Sequence, residues 1–137
     1  ASETEVKDVH RYTIVLRTSR EKIEKVVGQI EKLIDVLKAF VHEDDEVVHQ
    51  EIALYKIKTT ELKSINVEQV VRENSAKILT VDPDFIVIEK TGYKAETQAL
   101  LEKLKPFGIL EFARSGRVAV SKSMKELSTY LKELEIK

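Results

Sequence analysis

The chain has 137 residues, with 23 Lys and Arg set against 24 Asp and Glu for a formal net charge of -1. That length suits one ordinary domain or two very small ones, and near-neutrality argues against a protein built to coat nucleic acid. It contains no Cys, which excludes disulfide scaffolds, thiolate zinc sites and Cys nucleophiles; no apolar run approaches the roughly 18–20 residues of a membrane helix and no signal peptide opens the chain, so a cytoplasmic protein is expected.

The first predicted strand covers residues 10–17, where Tyr12, Ile14 and Leu16 alternate with Arg11, Thr13 and Val15. Residues 1–9 would supply the end of a preceding strand, returning through a turn near Lys7 and Asp8. Thr18-Ser19-Arg20-Glu21 reads as a capping box, the Thr18 hydroxyl taking the Glu21 N–H while the Glu21 carboxylate reaches back. The helix after it sets Ile23, Val26, Val27, Ile30, Leu33 and Ile34 in one apolar stripe. Gly28 lies in its interior at a cost of about 1 kcal/mol relative to Ala. Residues 35–41 read as a second strand through Val36, Leu37, Ala39 and Phe40.

His42-Glu43-Asp44-Asp45-Glu46 breaks the hydrophobic pattern and reads as a linker, after which the grammar restarts. Residues 51–58 form a predicted strand, and Val67, Val70 and Val71 mark a short helix reaching about residue 76. Residues 77–81 and 85–89 make a hairpin around Asp82-Pro83-Asp84, where Pro83 presets the first turn dihedral. A helix over 94–105 buries Thr97, Leu100, Leu101 and Leu104 and stops at Pro106. Residues 109–113 close the series, and 117–121 extend that strand past a turn at Ser115-Gly116. Residues 51–121 therefore read β-α-β-β-α-β, the split βαβ order of a ferredoxin-like domain. Residues 10–41 give half of the same unit, so the front of the chain looks cut.

Candidate chemistry is sparse. His42, Glu43, Asp44, Asp45, Glu46 and His49 offer imidazoles and carboxylates that suit zinc, nickel or manganese. A solvated acidic connector is the favoured alternative, because a linker does not supply rigid ligand geometry, and no metal ligand is assigned. Arg114-Ser115-Gly116-Arg117 places two guanidinium groups around a glycine turn. A phosphate grip is disfavoured against a plain strand-ending turn, while a protein–protein role stays open because Arg is enriched at interface hot spots. Tyr55, Phe85 and Phe112 fall on strands, yet no RNP1 octapeptide accompanies them, so they are expected in a core and RNA binding is set aside. His10, His42 and His49 lack a Ser or Cys elbow, and no G-x-S-x-G, G-x-G-x-x-G or P-loop occurs. No catalytic and no cofactor-binding residue is assigned.

Four stretches carry a family resemblance: Gln29-Ile30-Glu31-Lys32-Leu33-Ile34-Asp35-Val36, Gln50-Glu51-Ile52-Ala53-Leu54-Tyr55-Lys56-Ile57, Lys77-Ile78-Leu79-Thr80-Val81 running on through Glu89-Lys90-Thr91-Gly92, and Phe112-Ala113-Arg114-Ser115-Gly116-Arg117-Val118-Ala119. In this order the chain resembles the small, regulatory subunit of acetolactate synthase (acetohydroxyacid synthase). The resemblance implies an α+β protein of ferredoxin-like, ACT-like units: a partial ACT domain over 1–42, a linker over 43–50, a complete second domain over 51–122 and a helical tail over 123–137. It implies a subunit without an active site that activates a catalytic large subunit carrying thiamine diphosphate and magnesium, none of which this chain would hold. That enzyme joins pyruvate to pyruvate or 2-oxobutyrate in branched-chain amino-acid synthesis, under feedback by valine or a related amino acid. The effector-holding strand, loop and helix would precede Ala1, so no effector ligand is carried over and the 137-residue chain is expected to bind valine weakly or not at all. Arg114, Ser115, Gly116 and Arg117 are the partner-interface candidates. Ile23, Val27, Ile30 and Ile34 are candidates for a homodimer contact. A free-standing ACT-like ligand or metal sensor is the rival reading.

Overall fold

The computed structural model describes residues 1–59, 64–123 and 127–136. They form two compact units, one of Ala1–Val48 with Ala119–Lys137 and one of His49–Val118.

The second unit is built on four antiparallel strands: β3 (Val47–Lys58), β4 (Lys77–Val81), β5 (Phe85–Gly92) and β6 (Ile109–Arg114), ordered β4-β5-β3-β6. The helices α2 (Ser64–Glu73) and α3 (Lys94–Leu104) connect them, which is the expected β-α-β-β-α-β ferredoxin-like order. Strand alternation decides the core. Ala53, Tyr55 and Ile57 of β3 face inward with Ile86 and Ile88 of β5, and Val67, Val71, Leu100 and Leu104 of the helices cover them. The register sets Tyr55 beside Ile88 on one flank and Phe112 on the other, with the Tyr55 and Phe112 rings 5.2 Å apart.

Local chemistry sets the ends of these elements. α2 stops because Ser75 turns left-handed at φ 51, while the Asn74 amide donates back to the Val70 carbonyl at 2.8 Å. α3 gives way to a 3₁₀ turn over Lys105–Phe107 containing Pro106, closed by Gly108 at φ 85. β3 begins at Val47, earlier than the predicted residue 51, and β5 continues beyond 89 to Gly92. β7 (Val118–Ser121) pairs with β3, and just past them the Lys122 N–H donates to the Glu46 carbonyl at 2.9 Å.

The first unit departs further from expectation. β1 (Ser2–Glu3) pairs antiparallel with β2 (His10–Arg11), Ser2 opposite Arg11, through a turn where Asp8 has φ 64. The predicted strand over 10–17 ends there, and 35–41 forms no strand. The reason is missing partners: alternation says which face a strand would bury, but the ladder needs a neighbour along its length. Tyr12 is consequently 74% exposed. The helix itself forms, as α1 (Arg20–Glu31), but its cap is Ser19, whose Oγ accepts from the Lys22 N–H at 3.3 Å, and not Thr18. Because α1 ends at Glu31, Leu33 and Ile34 leave the stripe; Ile34 is 99% exposed, while Ile23, Val26, Val27 and Ile30 are half-buried. A last helix, α4 (Leu127–Ile136), sets the Tyr130 ring edge-on to Phe40 at 4.9 Å. Of the helical tail expected over 123–137, residues 124–126 and 137 lie outside the described residues. Among the described residues no helix is long and apolar enough to cross a membrane.

Candidate functional site

The richest polar arrangement surrounds Arg114, the last residue of β6. Register puts it opposite Ala53, whose small side chain leaves room for the guanidinium on the helix-covered face. From there Nη1 donates to Thr97 Oγ1 at 3.3 Å and to Gln98 Oε1 at 3.2 Å, and Nη2 donates to the same Gln98 oxygen at 3.3 Å. Nε lies 4.0 Å from the Glu51 carboxylate, whose side chain is only 11% exposed. The guanidinium also sits 5.3 Å from the Phe112 ring centre. Tyr55 completes the arrangement by donating its hydroxyl to the Thr97 carbonyl. Burial pushes the Tyr55 phenol up to about 12 against a small opposing pull from Arg114.

Ser115 extends this lock. Its N–H donates to the Ile52 carbonyl at 2.9 Å and its Oγ accepts from the Ile52 N–H at 2.9 Å, so one residue closes both backbone groups of β3 beyond the strand pairing. Arg114 and Ser115 are thereby spent on the fold, tying β6 to α3 and β3. Gly116 is different. A Cβ added there meets nothing within 4 Å, so the unit itself places no demand for glycine at that exposed turn. Arg117 follows it, half-buried.

A second polar group lay unnoticed in the sequence. Lys90 is 8% exposed and its Nζ lies 3.7 Å from Glu96 Oε2. Glu96 also caps α3, its Oε1 accepting the Tyr93 N–H at 3.1 Å. The phase of Ile86 and Ile88 already turns Lys90 inward, and that parity was the available signal. Beside it the Tyr93 ring packs against His49 at 4.7 Å. Among the described residues His49 Nδ1 is buried without a hydrogen-bond partner.

The metal candidates separate. Glu43, Asp45 and Glu46 bring ligand atoms within 4.8 Å of one another, all exposed. Two of the three already serve the local turn or a neighbour: Glu46 accepts the Glu43 N–H at 3.0 Å, and Glu43 lies 3.8 Å from Arg20. His42 stacks loosely on Phe40, 6.2 Å between ring centres, and His49 belongs to the other unit. The sheet aromatics also divide. Tyr55 and Phe112 pack in the core as expected, whereas Phe85 lies half-buried on the opposite sheet face beneath the Lys56 ammonium at 4.6 Å.

A family model described as the small subunit of acetolactate synthase matches residues 50–123, the stretch that holds β3 through β7 and the Arg114 lock. The acetolactate synthase small subunit of Mycobacterium bovis is 35% identical over 126 residues, 92% of this chain and 75% of that relative. The chain belongs to the acetolactate synthase small-subunit family. The small subunit of Bacillus subtilis agrees, 31% identical over 134 residues that span 97% of this chain and 78% of its own length. So does a crystal structure of the small subunit from Thermotoga maritima, with a TM-score of 0.69 and 28% identity over 80% of this chain and 68% of that one. The family match contains the resembling stretches around Ile52, Ile78 and Arg114; Gln29–Val36 lies outside it.

Proposed function

We propose that this chain is a regulatory subunit without an active site of its own. It docks on a catalytic large subunit that holds thiamine diphosphate and magnesium, raises that subunit's output of acetolactate and, where the full ACT domain is present, carries feedback inhibition by valine or a related amino acid. The setting is branched-chain amino-acid synthesis in the cytoplasm, with the small subunit acting as a homodimer. Family membership carries this reading, since relatives 31% and 35% identical are named small subunits of acetolactate synthase. The physical requirement is differential binding: an effector shifts the enzyme between states only if the small subunit engages it differently in each.

Within the partner-interface candidates, Gly116 is the residue we assign to the large subunit. Arg114 and Ser115 are occupied inside the fold, and the open space before Gly116 lets another chain approach the backbone closely. The experiment mixes purified chain with its large subunit and measures acetolactate formation with and without valine. Activation that Gly116→Trp abolishes, with an unchanged urea midpoint, is the expected result. No activation by the native chain at saturating concentration would overturn the proposal.

A further inference from the structure

Two of the stretches that carry the family resemblance end at the same edge of the second unit's sheet. Gly92, the last residue of β5, lies opposite Glu51 of β3, and Ser115, the first residue past β6, satisfies both backbone groups of the neighbouring Ile52. Two strand spacings, about 9–10 Å, therefore separate Gly92 from the turn at Ser115-Gly116. Tyr93 follows Gly92 directly and is 51% exposed. Four residues hold it still. Glu96 Oε1 accepts the Tyr93 N–H at 3.1 Å, and the covered Lys90 ammonium lies 3.7 Å from Glu96 Oε2. Gly92 leaves room for that carboxylate, since a Cβ there would stand 3.1 Å from Glu96 Oε2. The His49 ring backs the phenol, 4.7 Å between centres.

We propose that Tyr93 anchors the chain to the catalytic large subunit, its exposed half seated in an apolar pocket of that partner beside the docked Gly116 turn. The inference rests on the docking reading above and adds to it the residue that supplies affinity. A ring left half in water gains the fold little by being fixed in place, because ordering a side chain costs entropy that only burial offsets. Binding does gain, since a side chain already immobile adds no ordering cost when a partner covers it. Tyr suits the role, having two torsions and a large amphipathic ring, and it is enriched among residues that dominate binding energy. The covered charges of this edge pair off, Lys90 with Glu96 and Arg114 with Glu51. An apolar partner surface can therefore close over the edge without burying an unpaired ion.

Titration of the large subunit with the full chain, read as acetolactate formation, tests the anchor. Tyr93 is the N-cap of α3, and Ser is a favoured residue there, so Tyr93→Ser removes the ring while keeping the helix start and the native urea midpoint. Its half-activating concentration rises about tenfold or more, and activation at saturation reaches the native level. Tyr93→Phe keeps the ring and most of the affinity. His49→Ala, which withdraws the backing ring, weakens activation severalfold. A Tyr93→Ser titration that matches the native one overturns the inference, and if Gly116→Trp still abolishes activation the docking reading survives it. A lower maximum at an unchanged half-activating concentration also overturns it, because the ring then acts on the enzyme's state and not on binding. A native chain that neither activates nor co-sediments with the large subunit fails the docking reading itself, and the anchor with it.

Discussion

Replacing Arg114 by Ala removes a side chain that holds three elements of the second unit together, and its cost follows from the contacts. The hydrogen bonds to Thr97 and Gln98 are long, at 3.2 and 3.3 Å, so each adds about 0.5–1 kcal/mol net. The larger part comes from Glu51, whose mostly covered carboxylate loses its cation and keeps its desolvation, a penalty of about 1–3 kcal/mol. Contact with the Phe112 ring adds about 0.5 kcal/mol. These terms share one side chain and do not simply add, which puts the loss at about 2–4 kcal/mol. Urea unfolding of the full chain, followed by far-ultraviolet circular dichroism at neutral pH, reads this directly. With a denaturant slope of about 2 kcal/mol per molar, the midpoint falls by roughly 1–2 M. Gln98→Ala, which leaves Glu51 paired, costs about 1 kcal/mol. An Arg114→Ala protein that kept its midpoint but lost activation of the large subunit would refute this reasoning and move the guanidinium to the partner contact.

Tyr55 supplies a pH test: burial raises its phenol from 10.0 to about 12, so the fold holds the neutral form. Its contribution is full below pH 10, falls as the unfolded chain ionises, and is lost as pH rises through about 12; by conversion of the shift it is at most ~3 kcal/mol. Tyr55→Phe therefore shows a shallower loss of stability than the native chain above about pH 10, and parallel curves in urea titrations would sink the assignment. In α1, a Cβ on Gly28 meets nothing within 4 Å, so Gly28→Ala stabilises the helix by about 0.5–1 kcal/mol, read as slower amide exchange across α1. Leu100→Ala opens a cavity in a fully buried position and costs about 2–5 kcal/mol in the same urea assay. Purified chain supplied with thiamine diphosphate, magnesium and pyruvate makes no acetolactate; product at any rate above the blank contradicts the proposed division of labour.

The second unit was legible because its sequence carries both halves of each bargain. Alternation in β3 and β5 names the inward residues, Asp82-Pro83-Asp84 fixes the hairpin, and the leucines of α3 supply the cover. The first unit offered the same alternation at Tyr12, Ile14 and Leu16, and there it misled. Alternation is a property of one strand, whereas a ladder is a property of two, and β1 gives β2 a partner of only two residues. The helix survived because an α-helix satisfies its hydrogen bonds within itself, needing only Ser19 to start it.

The same distinction between local and distant partners explains what was missed around Arg114. A sequence shows two arginines about a glycine and invites an anion or a partner protein. What the guanidinium meets is Gln98 on a helix 16 residues earlier and Glu51 within β3, neither adjacent in sequence. Thr97 and Glu51 became visible as partners only once register placed Ala53, Lys90 and Arg114 on one row of the sheet. The A-R-S-G turn can therefore identify the family without contributing chemistry at its first two polar residues. Fold closure accounts for Arg114 through its four contacts and for Ser115 through its exchange with Ile52, but for nothing at Gly116. Gly116 answers to no demand within its own unit, and that open approach to the backbone is the ground on which the proposal sets the large subunit against this turn.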